Sequence, residues 1–199
     1  MNHIAINARL GDGMVHFRGK NACFSMQSKN LDWLTVKRDI CLKEGFNPQH
    51  IVIKKSGYTG ELSIYTFTTL VNEKITEVYK AEMPDILSNL TKEDLCFWYL
   101  DDGSYQKNRY IMHLYCNQLN EDESEVLISR IYQLYGIYPT KRYDRKKDDR
   151  SFIYLYFPRE LTEIFRKDVE KILVKYKVKS LFYKIGEARP LRFKSIKED

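Results

Sequence analysis

The sequence lacks the features that would place it in several common classes of protein. No stretch approaches the roughly 20 apolar residues of a membrane span. The first residues, Met-Asn-His-Ile-Ala-Ile-Asn, have neither the charged segment nor the long apolar core of a signal peptide. No P-loop or Gly-x-Ser-x-Gly motif occurs, and the four His residues show no zinc-site spacing. We therefore expect a protein that is neither membrane-spanning nor secreted, and that is neither a P-loop nucleotide-binding protein nor a serine hydrolase of the Gly-x-Ser-x-Gly type.

Cysteine is also scarce, with four residues and no Cys-x-x-Cys pair. Each cysteine lies inside an apolar run, which favours a buried, reduced thiol over a disulfide or a zinc ligand. The four are Cys23, Cys41, Cys96 and Cys116. Reduced thiols are typical of intracellular proteins, so we expect this protein to work inside a cell.

Basic residues are in excess, and their distribution says more than the net charge of +6. Residues 141–150 read Lys-Arg-Tyr-Asp-Arg-Lys-Lys-Asp-Asp-Arg, and residues 171–199 carry nine Lys or Arg against three acids. A solvated loop and a frayed tail would explain the two segments separately. Together they favour a polyanionic partner.

The most informative feature is a repeat with a period of about 90 residues. Leu10-Gly11-Asp12-Gly13 aligns with Leu100-Asp101-Asp102-Gly103, and at the same offset 21–27 falls on 111–117. Both of these segments alternate in hydrophobicity, which predicts half-buried strands of the same parity. The predicted inward residues are Ala22, Phe24 and Met26 in the first copy, and Met112, Leu114 and Cys116 in the second.

The same element order is predicted in both copies. Asn30 and Asn120 are plausible N-caps of a helix, and Gly45 and Gly136 are its expected stops. Strand pairs follow at about 50–55 with 61–68 and 138–144 with 150–157, and closing helices at about 70–80 and 158–176. The predicted fold class is α+β, with two αββαββα repeats related by a pseudo-twofold axis. The predicted domains are 1–88 and 89–199.

The paired Asp-Gly motifs suggest a metal site. Each follows a helix, and a helix C-terminus is an unfavourable place for a carboxylate because the macrodipole there is negative. A cation between Asp12 and Asp102 would offset that repulsion, and two carboxylates with nearby carbonyls suit Mg²⁺. Ordinary Asp-Gly turns are the alternative, which we would prefer for either motif alone. Two motifs in register favour the site.

Here the residues carry a family resemblance. Leu95-Cys96-Phe97-Trp98-Tyr99-Leu100-Asp101-Asp102-Gly103-Ser104 resembles the second signature motif of LAGLIDADG homing endonucleases, in the subgroup whose motif contains Trp and ends Asp-Asp-Gly. Leu10-Gly11-Asp12-Gly13 resembles the first motif, and Met83-Pro84 before the second also fits. The resemblance covers nearly the whole chain. It implies two motif helices at the domain interface and two antiparallel sheets forming a saddle over double-stranded DNA.

The resemblance also implies catalytic and metal-binding roles. Asp12 and Asp102 would bind Mg²⁺ or Mn²⁺, with Gly11 and Asp101 beside them as further metal positions, and a double-strand break would leave 3′ overhangs. Lys184 matches the basic residue expected beyond the last helix of a repeat. Its first-copy partner is open between Lys80, near the right place, and Glu82, closer to the aligned position. The protein would act as a monomer with internal pseudo-symmetry, in a bacterial or phage-infected cell or an organelle.

DNA contacts are expected from the outward strand face and the basic hairpin tips. Gln27 and Asn117 each lie 15 residues after their aspartate, where an amide can orient water or phosphate, or read adenine. Tip residues would contact phosphates and set affinity more than specificity. The predicted DNA-binding residues are Ser25, Gln27, Lys54, Lys55, His113, Tyr115, Asn117, Lys141, Arg142, Arg145, Lys146, Lys147 and Arg150.

Three other functions are compatible with parts of the sequence. Gly136-Ile137-Tyr138 matches half of the GIY-YIG nuclease signature, but no Tyr-Ile-Gly follows at the required spacing. A small-molecule enzyme with an aspartate pair fits poorly with the basic balance and the missing cofactor fingerprint. The serious alternative is a nucleic-acid-binding protein on the same scaffold that does not cleave, either a maturase for intron RNA or a DNA-binding regulator. Loss of the acidic pair would favour that alternative, and both acids are present.

Overall fold

The computed structural model describes residues 3–55, 63–145 and 151–186, and within them the predicted element order is confirmed. One addition is a short helix between the two copies, which we number α4. The elements are α1 His3–Leu10, β1 Gly13–Arg18, β2 Asn21–Ser28, α2 Leu31–Lys43, β3 Val52–Lys55, β4 Ser63–Thr68, α3 Glu73–Lys80, α4 Met83–Ser88, α5 Lys92–Asp102, β5 Gly103–Gln106, β6 Ile111–Tyr115, α6 Glu121–Tyr135, β7 Thr140–Arg145, β8 Ser151–Phe157, α7 Arg159–Lys175 and a 3₁₀ helix Phe182–Ile185. None of the helices in these ranges combines the length and apolarity needed to cross a membrane.

Local capping explains several of the helix boundaries. Thr91 and Asp94 form a capping box at the start of α5, and Asn120 caps α6 through the backbone N–H of Glu123. Gly136 ends α6 with φ of 72°, a left-handed conformation that costs glycine little. Asn30 precedes α2 as predicted, but its side chain makes no capping hydrogen bond.

Each copy folds into a four-stranded antiparallel sheet, in the order β1-β2-β4-β3 and β5-β6-β8-β7. The inward residues predicted for β2 and for 111–117 are all fully buried against the helices. The four cysteines are buried and free, as predicted. Helices α1 and α5 pack side by side between the sheets, so the C-terminal ends of both motif helices reach the junction between the two copies.

The strand register corrects one predicted equivalence. Gly13 pairs with Met26, whereas Gly103 pairs with Leu114, so the second hairpin is two residues shorter. Strand β6 ends at Tyr115, and Asn117 lies in the turn that follows. The residue equivalent to Gln27 is therefore Tyr115, and the prediction that Asn117 occupies this strand position is wrong. Two residues added before α6 restore the offset of 90 at Asn30 and Asn120.

Candidate active site

Two glycines fix the geometry of the helix-to-strand junctions that carry the paired aspartates. A Cβ on Gly13 would lie 2.4 Å from the carbonyl oxygen of Ala8, and one on Gly103 would lie 2.1 Å from the ring of Tyr99. Each strand therefore leaves its helix by turning closely back over the last turn. Asp12 and Asp102, which immediately precede these glycines, are thus held at the C-terminal ends of two adjacent helices.

The electrostatics of the two aspartates are coupled. Burial raises the pKa of Asp102 to about 7, and the negative charges of Asp12 and Asp101 add to this effect. Surrounding protein also raises the pKa of Asp12, again with a contribution from Asp101. Lys184 opposes the shift at both residues. The charge of Asp12 thus acts on the carboxylate of Asp102, at a site where additional positive charge is favoured.

Asp101 makes a different set of contacts from its neighbour. Its carboxylate accepts two hydrogen bonds from Lys37 Nζ at 2.5 and 2.6 Å, and one from Trp33 Nε1 at 2.8 Å. The backbone N–H of Asp12 donates to the remaining side at 3.3 Å. A Cβ on Gly11 would lie 2.2 Å from Asp101 Oδ2, so the bare backbone of one motif faces the carboxylate of the other. Both carboxylate oxygens of Asp101 are thus committed to protein donors.

Lys184 is buried beneath the same junction, with 6% of its surface exposed. Its Nζ donates to the carbonyl oxygen of Asp101 at 2.7 Å, and its own carbonyl accepts from the Tyr99 hydroxyl at 2.7 Å. Burial lowers the pKa of Lys184, and the carboxylates of Asp101, Asp12 and Asp102 oppose that shift. Lys184 therefore lies at the junction that carries the paired aspartates, where its direct contact is with Asp101.

Two adjoining cavities open beside Asp12. One, of about 250 Å³, contains Asp12, Gln27, Trp33, Asp101 and Lys184 in its lining. The other, of about 470 Å³, runs over the outward face of the first sheet and contains Ser25, Gln27 and Lys54 with Asp12. Ser25 also bonds to His16 Nε2 at 3.0 Å. Four predicted residues, Gln27, Ser25, Lys54 and Asp12, are thus brought to one surface.

The second sheet departs from the prediction at His113. This residue lies on the outward face but is only 6% exposed, because the rings of Tyr154 and Tyr156 pack against it at 5.1 and 5.8 Å. Tyr115 is half-buried beside Tyr154, whereas Asn117 is exposed in its turn. His113 faces outward, as the alternating pattern predicts. The expectation that it is exposed is wrong, because large aromatic neighbours cover it.

The basic residues of β7 divide between two faces of the sheet. Arg142 is exposed on the outward side, with its guanidinium 4.0 Å from the ring centre of Tyr156. Lys141 instead bonds to Glu121 and Glu125 of α6, so it does not lie free for a phosphate as predicted. Lys55 and Arg145 are the last residues of β3 and β7. Lys146, Lys147 and Arg150 lie outside the described residues.

Sequence reasoning missed several residues of the site. Trp33 and Lys37 lie on the buried face of α2, where a lysine at the spacing of Leu34 and Cys41 was a detectable signal for an internal acid. Gln118 donates to the carbonyl oxygen of Leu10 at 2.6 Å, a contact that only the added turn before α6 allows. No local sequence signal indicated it.

Asp12 and Asp102 fit a hard divalent cation. Carboxylate oxygens suit Mg²⁺ or Mn²⁺. A bound cation would favour the ionised form of both carboxyl groups and so oppose the effects that raise their pKa values. Across the described ranges, no three His, Cys, Asp or Glu side chains are arranged to hold a metal ion. The pair would therefore need water and phosphate oxygens to complete the coordination, which Mg²⁺ usually retains.

Comparisons with known proteins agree with this geometry. The homing endonuclease I-WcaI bound to its DNA recognition sequence has a TM-score of 0.72 at 18% identity, over 92% of this chain and 84% of that one. I-DmoI in complex with DNA and Ca scores 0.55 at 15% identity, over 85% and 91%. The N-terminal LAGLIDADG domain of DUF199/WhiA scores 0.53 at 12% identity, over 86% of each chain. These matches show that the chain has the fold of LAGLIDADG homing endonucleases.

A search of curated proteins found no match. The model of the LAGLIDADG DNA endonuclease family matches residues 6–165, which is most of the chain and includes both Asp-Gly junctions. The chain belongs to the LAGLIDADG DNA endonuclease family.

Proposed function

We propose that this protein is a site-specific homing endonuclease that makes a metal-dependent double-strand break in a long DNA target. The observation that carries the proposal is the pair Asp12 and Asp102, held at the ends of two adjacent helices with raised pKa values. Placing two acids at the negative ends of adjacent helices costs free energy through charge repulsion, which a bound cation offsets. A catalytic metal site accounts for that cost.

The outward faces of the two sheets supply the DNA-binding surface in this proposal. The cavity over the first sheet runs from Asp12 past Gln27 and Ser25 to Lys54, so a duplex seated there would meet the catalytic carboxylate and the reading residues together. On the second sheet, Tyr115 and Arg142 also lie on the outward face and would contact the duplex. Similar proteins were solved with nucleic acid: I-WcaI with its recognition sequence, and an I-DmoI variant with its target DNA in the presence of Mg.

The chemistry of the reaction divides among a few side chains. Asp12 and Asp102 would hold the metal, which when bound neutralises charge on the scissile phosphate and favours a nucleophilic water. Gln27 lines the cavity beside Asp12, where its amide can orient water or phosphate. The Lys184 ammonium, next to the same carboxylate, would stabilise negative charge on the phosphate.

Asp101 takes a supporting role rather than that of a side-chain ligand. Its carboxylate is already satisfied by Lys37 and Trp33, and its carbonyl oxygen accepts from Lys184. Gly11 has no side chain and could offer a metal only its carbonyl oxygen. We therefore restrict the side-chain metal ligands to the two paired aspartates. With both half-sites in one chain, the protein would act as a monomer, inside the cell where its DNA substrate lies.

The test is cleavage of a randomised duplex library in Mg²⁺ buffer, with recovery of the cut ends to define the target. Wild type is compared with Asp12→Asn and Asp102→Asn, and with Asp39→Asn on the exposed side of α2 as the control. We expect double-strand cutting to fall by roughly three orders of magnitude in both active-site variants, since a lost metal ligand removes several kcal/mol of transition-state stabilisation.

DNA binding by the same variants, measured by fluorescence anisotropy in Ca²⁺ buffer, separates catalysis from recognition. Retained binding with lost cutting supports the paired-acid mechanism. Tight binding of DNA or of intron RNA by a wild-type protein that cuts nothing would overturn the proposal in favour of a maturase or a regulator.

A further inference from the structure

We propose that Lys184 serves only one of the two half-sites, that Ala81 occupies the equivalent place in the other, and that the two DNA strands are consequently cut at unequal rates. This inference rests on the proposed endonuclease function. In each repeat, a side chain of the motif helix donates a hydrogen bond to the segment that follows the last helix, and this contact identifies the equivalent positions.

Arg9 and Tyr99 identify the equivalent positions. Each lies three residues before the paired aspartate of its own motif helix. Arg9 Nη1 donates to the carbonyl oxygens of Val78, inside α3, and of Ala81, just beyond α3, each at 2.6 Å. The Tyr99 hydroxyl donates to the carbonyl oxygen of Lys184 at 2.7 Å, beyond α7. Of the two carbonyls that Arg9 contacts, only that of Ala81 lies beyond its helix, as that of Lys184 does, so we take Ala81 and Lys184 as counterparts across the pseudo-twofold axis.

The side chains at these counterparts differ in chemistry. Lys184 carries an ammonium that reaches the carbonyl oxygen of Asp101. The side chain of Ala81 is a methyl group and carries no hydrogen-bond donor. Lys80 and Glu82, the two candidates suggested by the sequence, flank Ala81 and are both exposed. The position equivalent to Lys184 thus has no basic side chain in the first repeat.

The lysine belongs to the half-site over the first sheet. The cavity that contains Lys184 is lined by Asp12, Gln27 and Ile64, and so by the strands β2 and β4. The ion pair of Lys37 with Asp101 lies at the same place, whereas Gly11 stands opposite without a side chain. One half-site is therefore built with two lysines around its carboxylates, and these have no equivalents across the axis among the described residues.

An ammonium beside the reacting phosphate stabilises charge that develops during cleavage, and each tenfold in rate corresponds to about 1.4 kcal/mol. The strand beneath the first-sheet half-site should therefore be cut first, with a nicked duplex as an intermediate. Placing a lysine at position 81 should raise the slower rate, because Ala81 is only half-buried and leaves room at its surface.

The experiment follows each strand of a cleavable duplex, labelled at opposite ends, in single-turnover reactions with excess enzyme and Mg²⁺. In wild type we expect one strand to be cut about tenfold faster than the other. Lys184→Gln should slow the fast strand by about tenfold or more and change the slow strand by less than about twofold. Ala81→Lys should accelerate the slow strand and diminish the nicked intermediate. Lys80→Gln is the matched control and should leave the ratio of rates unchanged.

The possible outcomes separate a failure of this inference from a failure of the proposed endonuclease function. Equal rates in wild type, or an equal loss on both strands in Lys184→Gln, would overturn the inference while leaving the endonuclease intact. A loss on the slow strand in Lys80→Gln would assign the counterpart to Lys80 instead. Thermal unfolding of every variant is measured in parallel, and should Ala81→Lys not fold, the strand ratio of Lys184→Gln decides alone. Failure of wild type to cut either strand would defeat the proposed function and this inference with it.

Discussion

A fully buried ion pair joins the two copies at the level of single residues. The side chains of Lys37 and Asp101 are 0% and 1% exposed, so both charges have lost their hydration. Such a pair compensates for its desolvation only while both partners are present and hydrogen-bonded. Trp33 and the N–H of Asp12 complete the bonding of the carboxylate, which makes the whole group interdependent.

We expect Lys37→Met to lower the free energy of unfolding by about 3–5 kcal/mol, because it leaves the Asp101 carboxylate buried without a countercharge. The double variant with Asp101→Asn should recover part of this loss, since the stranded charge is then gone. Urea denaturation monitored by circular dichroism measures both. Lys43→Met, at the exposed end of the same helix, should change stability by less than about 0.5 kcal/mol.

At the scale of elements, the segment carrying Lys184 is fastened to the first turn of α2. Asp32 accepts hydrogen bonds from the backbone N–H of Lys179 at 2.8 Å and of Ser180 at 2.9 Å, and from the Ser180 hydroxyl. Partial burial opposes ionisation of Asp32, but the bonds from Ser180 and Lys179 outweigh it and lower its pKa. This contact crosses from the second copy to the first.

Asp32→Asn should loosen this attachment and increase amide hydrogen exchange over residues 178–186. Because the pKa of Asp32 is lowered by folding, its stabilising contribution is present above the unfolded value of about 3.9 and is lost as pH falls through the folded value. Protection from exchange in wild type, taken relative to the intrinsic exchange rate at each pH, should therefore fall selectively in this segment on acidification. Asp39→Asn serves as the control, and equal exchange in both variants would contradict the proposed anchor.

The sequence predicted the elements better than their pairing. Two Asp-Gly junctions and two Asn residues at a constant offset were enough to predict both αββαββα copies. The shorter second hairpin escaped detection because two extra residues before α6 restore the offset downstream. Gln27 therefore has Tyr115, not Asn117, as its counterpart. The partners of Lys37 and Lys184 depend on contacts between copies, which no local pattern encodes.

Across the whole molecule, the two outward faces differ in chemistry. The first presents the hydroxyl of Ser25 and the amide of Gln27, whereas the second presents the rings of Tyr154 and Tyr156. Hydroxyls and amides suit hydrogen bonds to base edges, and aromatic rings offer apolar contact. A target read by this protein should accordingly be asymmetric between its two halves.

The division of basic residues in β7 yields a matched pair of variants. Arg142→Ala should weaken DNA binding and reduce the slope of log affinity against log salt by about one, as expected for one lost phosphate contact. Lys141→Ala should leave both unchanged, because that ammonium is already paired with Glu121 and Glu125. Anisotropy titrations at several salt concentrations measure this. An equal loss in the two variants would contradict the assignment of faces.

The close approach of Gly11 to Asp101 breaks the symmetry between the two halves of the chain. Two copies of the second half, placed around the same axis, would bring two Asp101 carboxylates into the space that a bare glycine now leaves open. Two copies of the first half would strand Lys37 in the interior without its acid. Neither half is therefore self-complementary at this contact, and a symmetric dimer of either half would bring either two carboxylates or two unpaired lysines into the interior.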